Sequence, residues 1–473
     1  MTVRTHTSNF TLQTSHLTPP IRTRLAFSIF IALSSSHIFC CIGQAALRGG
    51  CAKVNITPPL GIKLIGSQGK PSDAIMDELY AKALVLSDGT NTVAILSADL
   101  LYAPLDDITN PVRAILQERI GLPRQNVMVC ATHTHSGPEI FTNSKLPPRD
   151  RVPAAQLDQS YLQTLVRKMA DSVVIAHRDM REVRIGAATG SLPEVLYNRR
   201  PTTSDGRAEM AFTLPRETAA TRKTETSREG RTRVVFTLGP EAKQLSFGPV
   251  DPEVFAVRVE DVGGVIVGSI VGFGCHPVSI YPSMGTTISA DYPAFATRVV
   301  EQAEGGVSLF VLGLAGNTVP LQRGAKPCEQ IGKALGGEAL KRLELVATTG
   351  DVALQALTRE VTVATRKAPA PTGSIDGGTA DAITTEIQLL RLGDIYVLGL
   401  PGEVLVEVGL EIKRRAGVEK LLIVTCADDA IGYVCLSRAY EEGGYEPESG
   451  TNLAKGAGEI MVEQALALIK EMK

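Results

Sequence analysis

Short apolar stretches rich in β-branched residues alternate along this chain with longer amphipathic stretches. Apolar side chains in the longer stretches recur every three or four residues, which predicts helices, whereas the short apolar runs predict buried strands. The predicted strands are 92–100, 126–131, 183–188, 254–259, 265–273, 307–314, 351–363, 384–400 and 421–425, and the predicted helices are 106–120, 159–177, 292–303, 328–345, 403–415 and 458–472. This order predicts an α/β fold with mixed β-sheets flanked by helices.

Two stretches stand apart from this pattern. Residues 1–46 place two arginines before the apolar run 25–33 and small residues after it, which is typical of a secretory signal peptide or leader. Residues 202–233 are rich in Thr, Arg, Glu and Gly and show little periodicity, which predicts a solvated, mobile insertion. Residues 47–473 are otherwise predicted to form one domain, and the protein is expected to be secreted or periplasmic.

Composition narrows the class of protein. A hydrophobic content of 44% and a charged content of 21% are typical of a soluble α/β protein. The formal net charge of -2 gives no reason to expect binding to nucleic acid. The cysteines outside the leader are scattered, without a C-x-x-C pair, so neither a zinc ribbon nor a disulfide-rich scaffold is indicated.

Residues with the chemistry of metal ligands follow several of the predicted strands. His133 and His135 stand two residues apart just after the strand 126–131, and His276 follows the strand 265–273. Residues i and i+2 of an extended chain point to the same side, so both imidazoles of the first pair can face one cavity. Ligands gather at the carboxyl ends of strands in α/β sheets, so a metal site is expected there.

Three further segments follow apolar strands in the same way: 316–318, 402–403 and 428–433. A pair of hydrogen-bonded loop histidines is the alternative interpretation of His133 and His135. His177, at the end of a predicted helix, is interpreted as a charge partner of the helix terminus.

Short phrases spread over most of residues 50–446 carry a resemblance to a known family. They are THTHSGP at 132–138, NR at 198–199, CHP at 275–277, SADYP at 289–293, LPGE at 400–403, GY at 432–433 and YE at 445–446. In this order they resemble the catalytic N-terminal domain of the neutral/alkaline non-lysosomal ceramidase family.

The resemblance implies a zinc-dependent amidohydrolase with one Zn²⁺ per chain, in which a zinc-bound water attacks the acyl carbonyl. It implies His133, His276, Glu403 and Tyr433 as metal ligands. It also implies His135, Arg199 and Tyr445 as catalytic residues that hold the substrate or stabilise the developing oxyanion.

Local chemistry alone offers other interpretations of several of these residues. Glu403 could be a helix N-terminal carboxylate, and Tyr433 a core ring with a satisfied hydroxyl. Asp99 and Asp291, at predicted strand-end turns, could orient a ligand histidine or simply cap a turn or helix.

Two departures from the family pattern affect the expected substrate. Ceramidases carry a Gly-Asp-x-Ser-Pro phrase where this chain has Gly-Asn-Thr-Val-Pro at 316–320, so Val319 replaces a serine that engages the sphingoid end of ceramide. The chain also ends about where the catalytic domain ends, so no C-terminal β-sandwich domain is expected. Weak or no hydrolysis of ceramide is therefore predicted, with better turnover of a simpler N-acyl amide or ester.

The expected function is hydrolysis of an amide bond by a secreted zinc enzyme of lipid and sphingolipid metabolism. The alternative is a non-catalytic, metal-containing protein of the same fold that binds a lipid or sugar. The expected partners are a small N-acyl amide or lipid substrate and, transiently, a membrane surface. Neither nucleic acid nor an obligate protein partner is expected.

Overall fold

The computed structural model describes residues 46–67, 69–140, 145–147, 158–239, 244–281, 283–366 and 381–473. The predicted leader lies outside these residues apart from Ala46. The described residues belong to one compact unit.

The strands in chain order are β1 (Arg48–Asn55), β2 (Ala74–Ile75), β3 (Tyr80–Ser87), β4 (Thr92–Ala98), β5 (Val127–Ala131), β6 (Arg181–Ser191), β7 (Leu196–Asn198), β8 (Lys223–Thr226), β9 (Thr232–Val235), β10 (Pro249–Val250), β11 (Glu253–Asp261), β12 (Ile266–Phe273), β13 (Thr287–Ile288), β14 (Val307–Leu312), β15 (Thr318–Pro320), β16 (Leu354–Ala364), β17 (Ala382–Leu392), β18 (Ile395–Gly399), β19 (Glu403–Val404), β20 (Lys420–Val424) and β21 (Tyr433–Val434). The α-helices are α1 (Asn110–Ile120), α2 (Gln159–Arg178), α3 (Arg216–Ala220), α4 (Tyr292–Glu304), α5 (Ala325–Leu345), α6 (Val406–Ala416), α7 (Ser437–Glu442), α8 (Tyr445–Glu448) and α9 (Ala457–Met472).

Two mixed sheets form the centre of the fold. The larger has eight strands in the order β14-β12-β11-β6-β1-β3-β4-β5, and the smaller has four in the order β16-β17-β18-β20. The pairs β4/β5 and β12/β14 are parallel in the larger sheet, and β18/β20 is parallel in the smaller. β1 pairs with β6 only through Arg48 and Gly49, so the larger sheet divides into two halves.

Alternating side chains place the sheets between two layers of helices. In β4, Val93 and Ile95 contribute to a core shared with the smaller sheet, whereas Ala94 and Leu96 contribute to a core shared with α1, α2, α4 and α5. The smaller sheet covers its other face with α6 and α9. Both faces of the central strands are therefore buried, which explains why the strands read as continuous apolar runs.

The fold class predicted from the sequence is confirmed, with mixed sheets flanked by helices. The predicted strands 351–363 and 384–400 pair with each other, as β16 with β17. The second stretch is not one strand, because a turn at Gly393, with a φ of 67°, divides it into β17 and β18.

Two other elements differ from the expectation. The helix predicted to start at Glu403 begins at Val406, and Glu403 lies in β19, which pairs with β21. The segment 202–233 was expected to be a loop, but it contains α3, β8 and part of β9, and β8 and β9 form a hairpin. Most side chains of that hairpin are exposed, so neither face gives an apolar period to detect. Among the described residues, no helix combines the length and the apolar character needed to cross a membrane.

Candidate metal centre

The ends of β5 and β20 meet in one buried pocket. His133, two residues after β5, and Cys426, two residues after β20, have positive φ angles of 67° and 50°. Such angles are uncommon for residues that carry a side chain and are a form of local strain. The amide of Ala131 donates to the Cys426 carbonyl at 3.1 Å, which ties the two strand ends together. Cys426 Sγ consequently lies 3.6 Å from His133 Nδ1.

His133 and His276 direct their Nε2 atoms at each other. His133 Nδ1 lies 2.8 Å from the Leu101 carbonyl oxygen, and His276 Nδ1 lies 2.8 Å from the Ala315 carbonyl oxygen. A carbonyl oxygen only accepts hydrogen bonds, so each Nδ1 carries a proton and donates it. In the neutral rings this leaves a lone pair on each Nε2, and the two Nε2 atoms are 3.0 Å apart. Proteins commonly fix metal-binding imidazoles in this way.

Glu403 brings a carboxylate oxygen to the same point. Its Oε2 atom lies 3.2 Å from His133 Nε2 and 3.3 Å from His276 Nε2. That oxygen makes no well-aligned hydrogen bond with a described residue. The other oxygen, Oε1, accepts a hydrogen bond from the Tyr102 hydroxyl.

This convergence favours positive charge. Two imidazole lone pairs and a carboxylate oxygen repel one another in a buried pocket unless a proton or cation lies among them. Burial alone would lower the pKa of His133, but Cys426 and Glu403 raise that pKa well above its usual value. Two imidazoles and one carboxylate are also a common protein donor set for a catalytic zinc. The residues present therefore fit a metal ion.

His135 completes a three-histidine group. One ring nitrogen from each of His133, His135 and His276 lies within 4.8 Å of the others. His135 Nε2 is buried and has no hydrogen-bond partner among the described residues. Burial, together with His133 and His276, lowers the pKa of His135 well below its usual value, so its ring is neutral. Glu403 Oε2 lies 3.2 Å from His133 Nε2 and 3.3 Å from His276 Nε2. Either His135 or Glu403 can therefore be the third ligand beside these two histidines.

Arg199 lies at the edge of the centre and is held there by hydrogen bonds from its Nε and Nη2 atoms. Its Nε donates to Glu446 Oε1 at 2.8 Å, and its Nη2 donates to the Gly316 carbonyl and the Tyr433 hydroxyl, each at 3.0 Å. Burial opposes its charge, but Tyr433 and Glu446 raise the pKa of Arg199 above its usual value. Glu446 also accepts from Arg200 Nη1 at 2.6 Å, so one buried carboxylate fixes two guanidinium groups.

Aromatic rings surround the Arg199 guanidinium. Its central carbon lies 5.4 Å from the ring centroid of Phe212, 5.6 Å from that of Tyr433 and 5.8 Å from that of Tyr445. Tyr433 pairs through its backbone with Glu403, which brings its hydroxyl toward the carboxylate. Burial, then the charge of Glu403, raises the pKa of Tyr433 well above its usual value. The sequence thus identified residues that the fold brings together from distant segments.

The aspartates at the strand ends bind backbone amides. Asp99 Oδ2 accepts from the Tyr80 amide at 2.8 Å, and Asp291, at the start of α4, accepts from the Ile280 amide at 2.9 Å and the Tyr292 amide at 2.7 Å. Asp291 therefore caps a helix, which is the alternative weighed for it, whereas Asp99 binds the start of the neighbouring strand β3. Asp428 and Asp429, in the segment 428–433, bind the amides of Val129 and Leu105 and likewise hold loops in place.

Sequence reasoning missed Tyr102 and did not connect Cys426 with the histidines. Tyr102 lies in an irregular stretch, 301 positions away from Glu403 along the chain, and no local pattern marks it. Its ring centroid is 5.4 Å from that of His133. Tyr102 therefore contacts two candidate ligands and orients the Glu403 carboxylate.

Replacing Tyr102 with Phe should weaken metal binding while leaving the ligands in place. The change removes the hydrogen bond to Glu403 Oε1, and loss of such an outer partner typically lowers metal affinity by about 10–100-fold. Competition with a metal chelator, compared between this variant and Tyr292→Phe, would measure the effect. Tyr292 serves as the control because its buried hydroxyl bonds only the Cys275 carbonyl. Equal metal affinity in Tyr102→Phe and the unmodified protein would contradict the prediction.

Val319 does not occupy the open position expected for a residue that contacts substrate. Its side chain is fully buried and packs in the core beneath the helices, and its backbone pairs with Tyr197. The neighbouring Thr318 carbonyl accepts from the His276 amide at 3.0 Å, so this strand supports the centre through its backbone.

Replacing Val319 with Ser should therefore destabilise the fold without increasing turnover of ceramide. An unpaired buried hydroxyl costs about 1–3 kcal/mol. Val319→Ala is the matched control, since both variants lose similar apolar volume and only one buries a hydroxyl. Urea unfolding would measure the difference. A Ser variant as stable as the Ala variant, with higher kcat/KM for ceramide, would show that this position contacts the substrate.

The fold and the centre together define a four-layer α/β protein with a buried group of histidines compatible with a metal ion. Residues 49–211 match the family model described as neutral/alkaline non-lysosomal ceramidase, N-terminal. A curated relative, neutral ceramidase A from Dictyostelium discoideum, is 23% identical over 267 residues, which cover 53% of this chain and 32% of the relative. The match thus spans about a third of that protein's length.

Solved structures match over more of the chain. The crystal structure of neutral ceramidase from Pseudomonas aeruginosa aligns with a TM-score of 0.69 at 18% identity, covering 90% of this chain and 75% of the other. A ceramidase complexed with C2 aligns with a TM-score of 0.68 at 18% identity, covering 90% of this chain and 76% of the other. These two matches show that the fold is shared. The family match over residues 49–211 adds a similarity in sequence to the neutral/alkaline non-lysosomal ceramidase family.

Proposed function

We propose that this protein is a zinc-dependent hydrolase that cleaves the amide bond of an N-acyl lipid of the ceramide class. The convergence of His133 Nε2, His276 Nε2 and Glu403 Oε2 within 3.3 Å of one another carries the proposal. The donor types favour zinc over calcium or magnesium, which prefer sets made of oxygen alone. Tyr433 is proposed as a further ligand on the family resemblance.

A zinc ion held by these residues would supply a Lewis acid and lower the pKa of a bound water toward neutrality. The side chains around the proposed zinc position are suited to bind the amide group of a substrate. Arg199 keeps a positive charge in a buried position, where a charged donor stabilises a developing oxyanion far better than in water. Glu446 prevents that guanidinium from turning away, because it is fixed in turn by Arg200.

His135 is suited to hold the substrate. Its Nε2 is buried without a hydrogen bond to the described residues, and an imidazole nitrogen can accept from a substrate hydroxyl or amide. Tyr445 is half-buried and lies beside Tyr433 and Phe212, with ring centroids 5.6 and 5.7 Å away. We assign it to substrate contact at the mouth of the centre.

The lipid class of the substrate rests on the relatives, which are described as neutral ceramidases. A lipid amide is presented at a membrane surface, so we also propose that the protein contacts a bilayer transiently. An extracytoplasmic location is part of the same proposal. The apolar leader at 25–33 supports that location.

The proposal is tested by measuring metal content and turnover on the same preparation. Purified protein would be analysed for metal, depleted with a chelator, reloaded with Zn²⁺, Mg²⁺ or Ca²⁺, and assayed on a short-chain ceramide, an N-acyl ethanolamine and a fatty acyl ester. We expect about one zinc per chain and amide hydrolysis restored by zinc alone. Bound zinc without turnover of any amide would instead favour the non-catalytic lipid- or sugar-binding alternative.

A further inference from the structure

A second polar cavity lies behind Arg200. Its volume is about 160 Å³, and it is enclosed by the segment around β9 and β10 and by residues at α6 and α7. The charged residues that line it are Arg200, Arg231, Arg233, Arg438, Glu407 and Glu442. Guanidinium groups thus outnumber carboxylates by four to two.

Two of these arginines differ from the others in having no ion pair with the residues that the structure describes. Arg200 is engaged by Glu446 at 2.6 Å, and Arg438 by Glu442 at 2.7 Å. Neither Arg231 nor Arg233 has a side-chain hydrogen bond or ion pair with any residue that the structure describes.

The hairpin directs both free guanidinium groups into the cavity. Arg231 and Arg233 are two residues apart on an extended segment, so their side chains leave the same face. Glu225 stands directly across from Arg233 in the β8/β9 pairing but does not line the cavity. Among the described residues that line the cavity, no carboxylate of the hairpin accompanies the two arginines.

Glu407 does little to offset this charge. It is buried beneath the cavity and accepts a hydrogen bond from Asn317 Nδ2 at 2.9 Å. Burial raises its pKa, which disfavours the charged carboxylate. A pocket with an excess of guanidinium groups and a weakened acid attracts an anion.

We infer that this cavity binds a small phosphate group, either free phosphate or the headgroup of a phosphomonoester. Guanidinium groups match the oxygens of phosphate with paired, charge-assisted hydrogen bonds. The volume of about 160 Å³ suits one phosphate with part of an attached group and is too small for an acyl chain. Arg200 links the cavity with Arg199 through Glu446, but this inference does not depend on the proposed hydrolase activity.

The test is calorimetric titration with inorganic phosphate at constant ionic strength. The unmodified protein is compared with the double variant Arg231→Met/Arg233→Met and with Arg228→Met. Arg228 is a matched control because it is exposed on the same hairpin and does not line the cavity. A parallel titration of His276→Ala separates this cavity from the metal centre, which could itself bind phosphate.

We expect saturable binding that is weakened at least about tenfold in the double variant, the effect of losing a charge-assisted hydrogen bond. Binding should be unchanged in Arg228→Met and in His276→Ala. An equal loss in Arg228→Met would indicate attraction by general surface charge. A loss in His276→Ala would place the anion at the metal centre. Absence of binding by every phosphate probe would show that the cavity does not bind phosphate. Each of these three results overturns the inference.

Two further probes identify the source of the phosphate. Glycerol 3-phosphate tests a soluble monoester. Vesicles of phosphatidylcholine with phosphatidic acid test a lipid headgroup. The phosphatidic acid content is roughly 20%, a level at which the surface charge attracts basic groups. Binding of either probe that is lost in the double variant supports the site and names its source. Vesicle binding that both arginine variants retain equally, with no binding of free phosphate, contradicts it.

Discussion

Replacing His276 with Ala should strip zinc from the protein and lower kcat/KM by at least about 10³-fold, because metal stabilisation of the transition state is worth several kcal/mol. The change removes one of three converging donors and leaves His133 and Glu403, too few for a tightly held catalytic zinc. The fold should survive, because the backbone amide of His276 still donates to the Thr318 carbonyl. The side chain itself contributes one hydrogen bond, to Ala315, worth about 1 kcal/mol.

Metal analysis, kcat/KM and urea unfolding on the same preparation would check this result. His177→Ala is the matched control, since it removes an imidazole near the end of α2, away from the centre. That variant should keep its zinc and its activity. Stoichiometric zinc in the His276→Ala protein would show that this imidazole is not a ligand.

Much of the fold could be predicted because its central strands are buried on both faces. β5, β12, β14, β18 and β20 therefore stand out as apolar runs, and the polar residues that follow them mark where each strand ends. The i, i+2 spacing of His133 and His135 is a local feature that survives in the structure as one group of rings. Local spacing was enough to place these two histidines in one group, whereas Glu403, Tyr433 and Arg199 were predicted from the family resemblance.

What the sequence could not reveal depends on contacts between distant segments. Tyr102 precedes helix α1 along the chain, and only the fold shows that its hydroxyl reaches Glu403. Glu403 itself was predicted to begin a helix because residues 403–415 have helical periodicity. The pairing of β19 with β21 holds its backbone in a strand instead, and no local pattern encodes that pairing.

The sequence contains a signal for the turn that divides 384–400 into two strands. Gly393 and Asp394 interrupt an apolar run, and a glycine beside an aspartate is a common turn signal between paired strands. The left-handed φ of Gly393 confirms that a turn was required there. Apolar residues on both sides of the turn give 384–400 the appearance of one long strand.

A buried ion network ties the two sheets to α1, and breaking it should have the largest effect on stability. Arg113 in α1 pairs with Glu386 of β17 and, at 2.9 Å, with Asp428 after β20. Its Nε donates to the Val127 carbonyl at the start of β5 at 2.9 Å. Each of these three charged side chains is at most 2% exposed.

Replacing Arg113 with Met should therefore destabilise the protein by about 3–5 kcal/mol, because it leaves the buried Asp428 without its cation and leaves Glu386 with the exposed Arg124 as its cation. Arg124→Met is the matched control. Arg124 pairs with the same Glu386 at 2.8 Å, but its side chain is 48% exposed. An exposed partner is worth about 0–1 kcal/mol, so the control should change stability little.

The loss in Arg113→Met should also depend on pH. Burial raises the pKa of Asp428 to about 7, and Arg113 is the main group that lowers it, so removing Arg113 raises that pKa further. A carboxyl whose pKa is higher in the folded than in the unfolded state costs stability only when it is ionised. The cost is therefore absent below the unfolded pKa of about 4 and grows as pH rises through 7 and above. Urea unfolding at pH 5 and pH 8 should show a larger difference between Arg113→Met and the unmodified protein at pH 8. If Arg113→Met and Arg124→Met lose the same stability at both pH values, the buried network does not hold the sheets together.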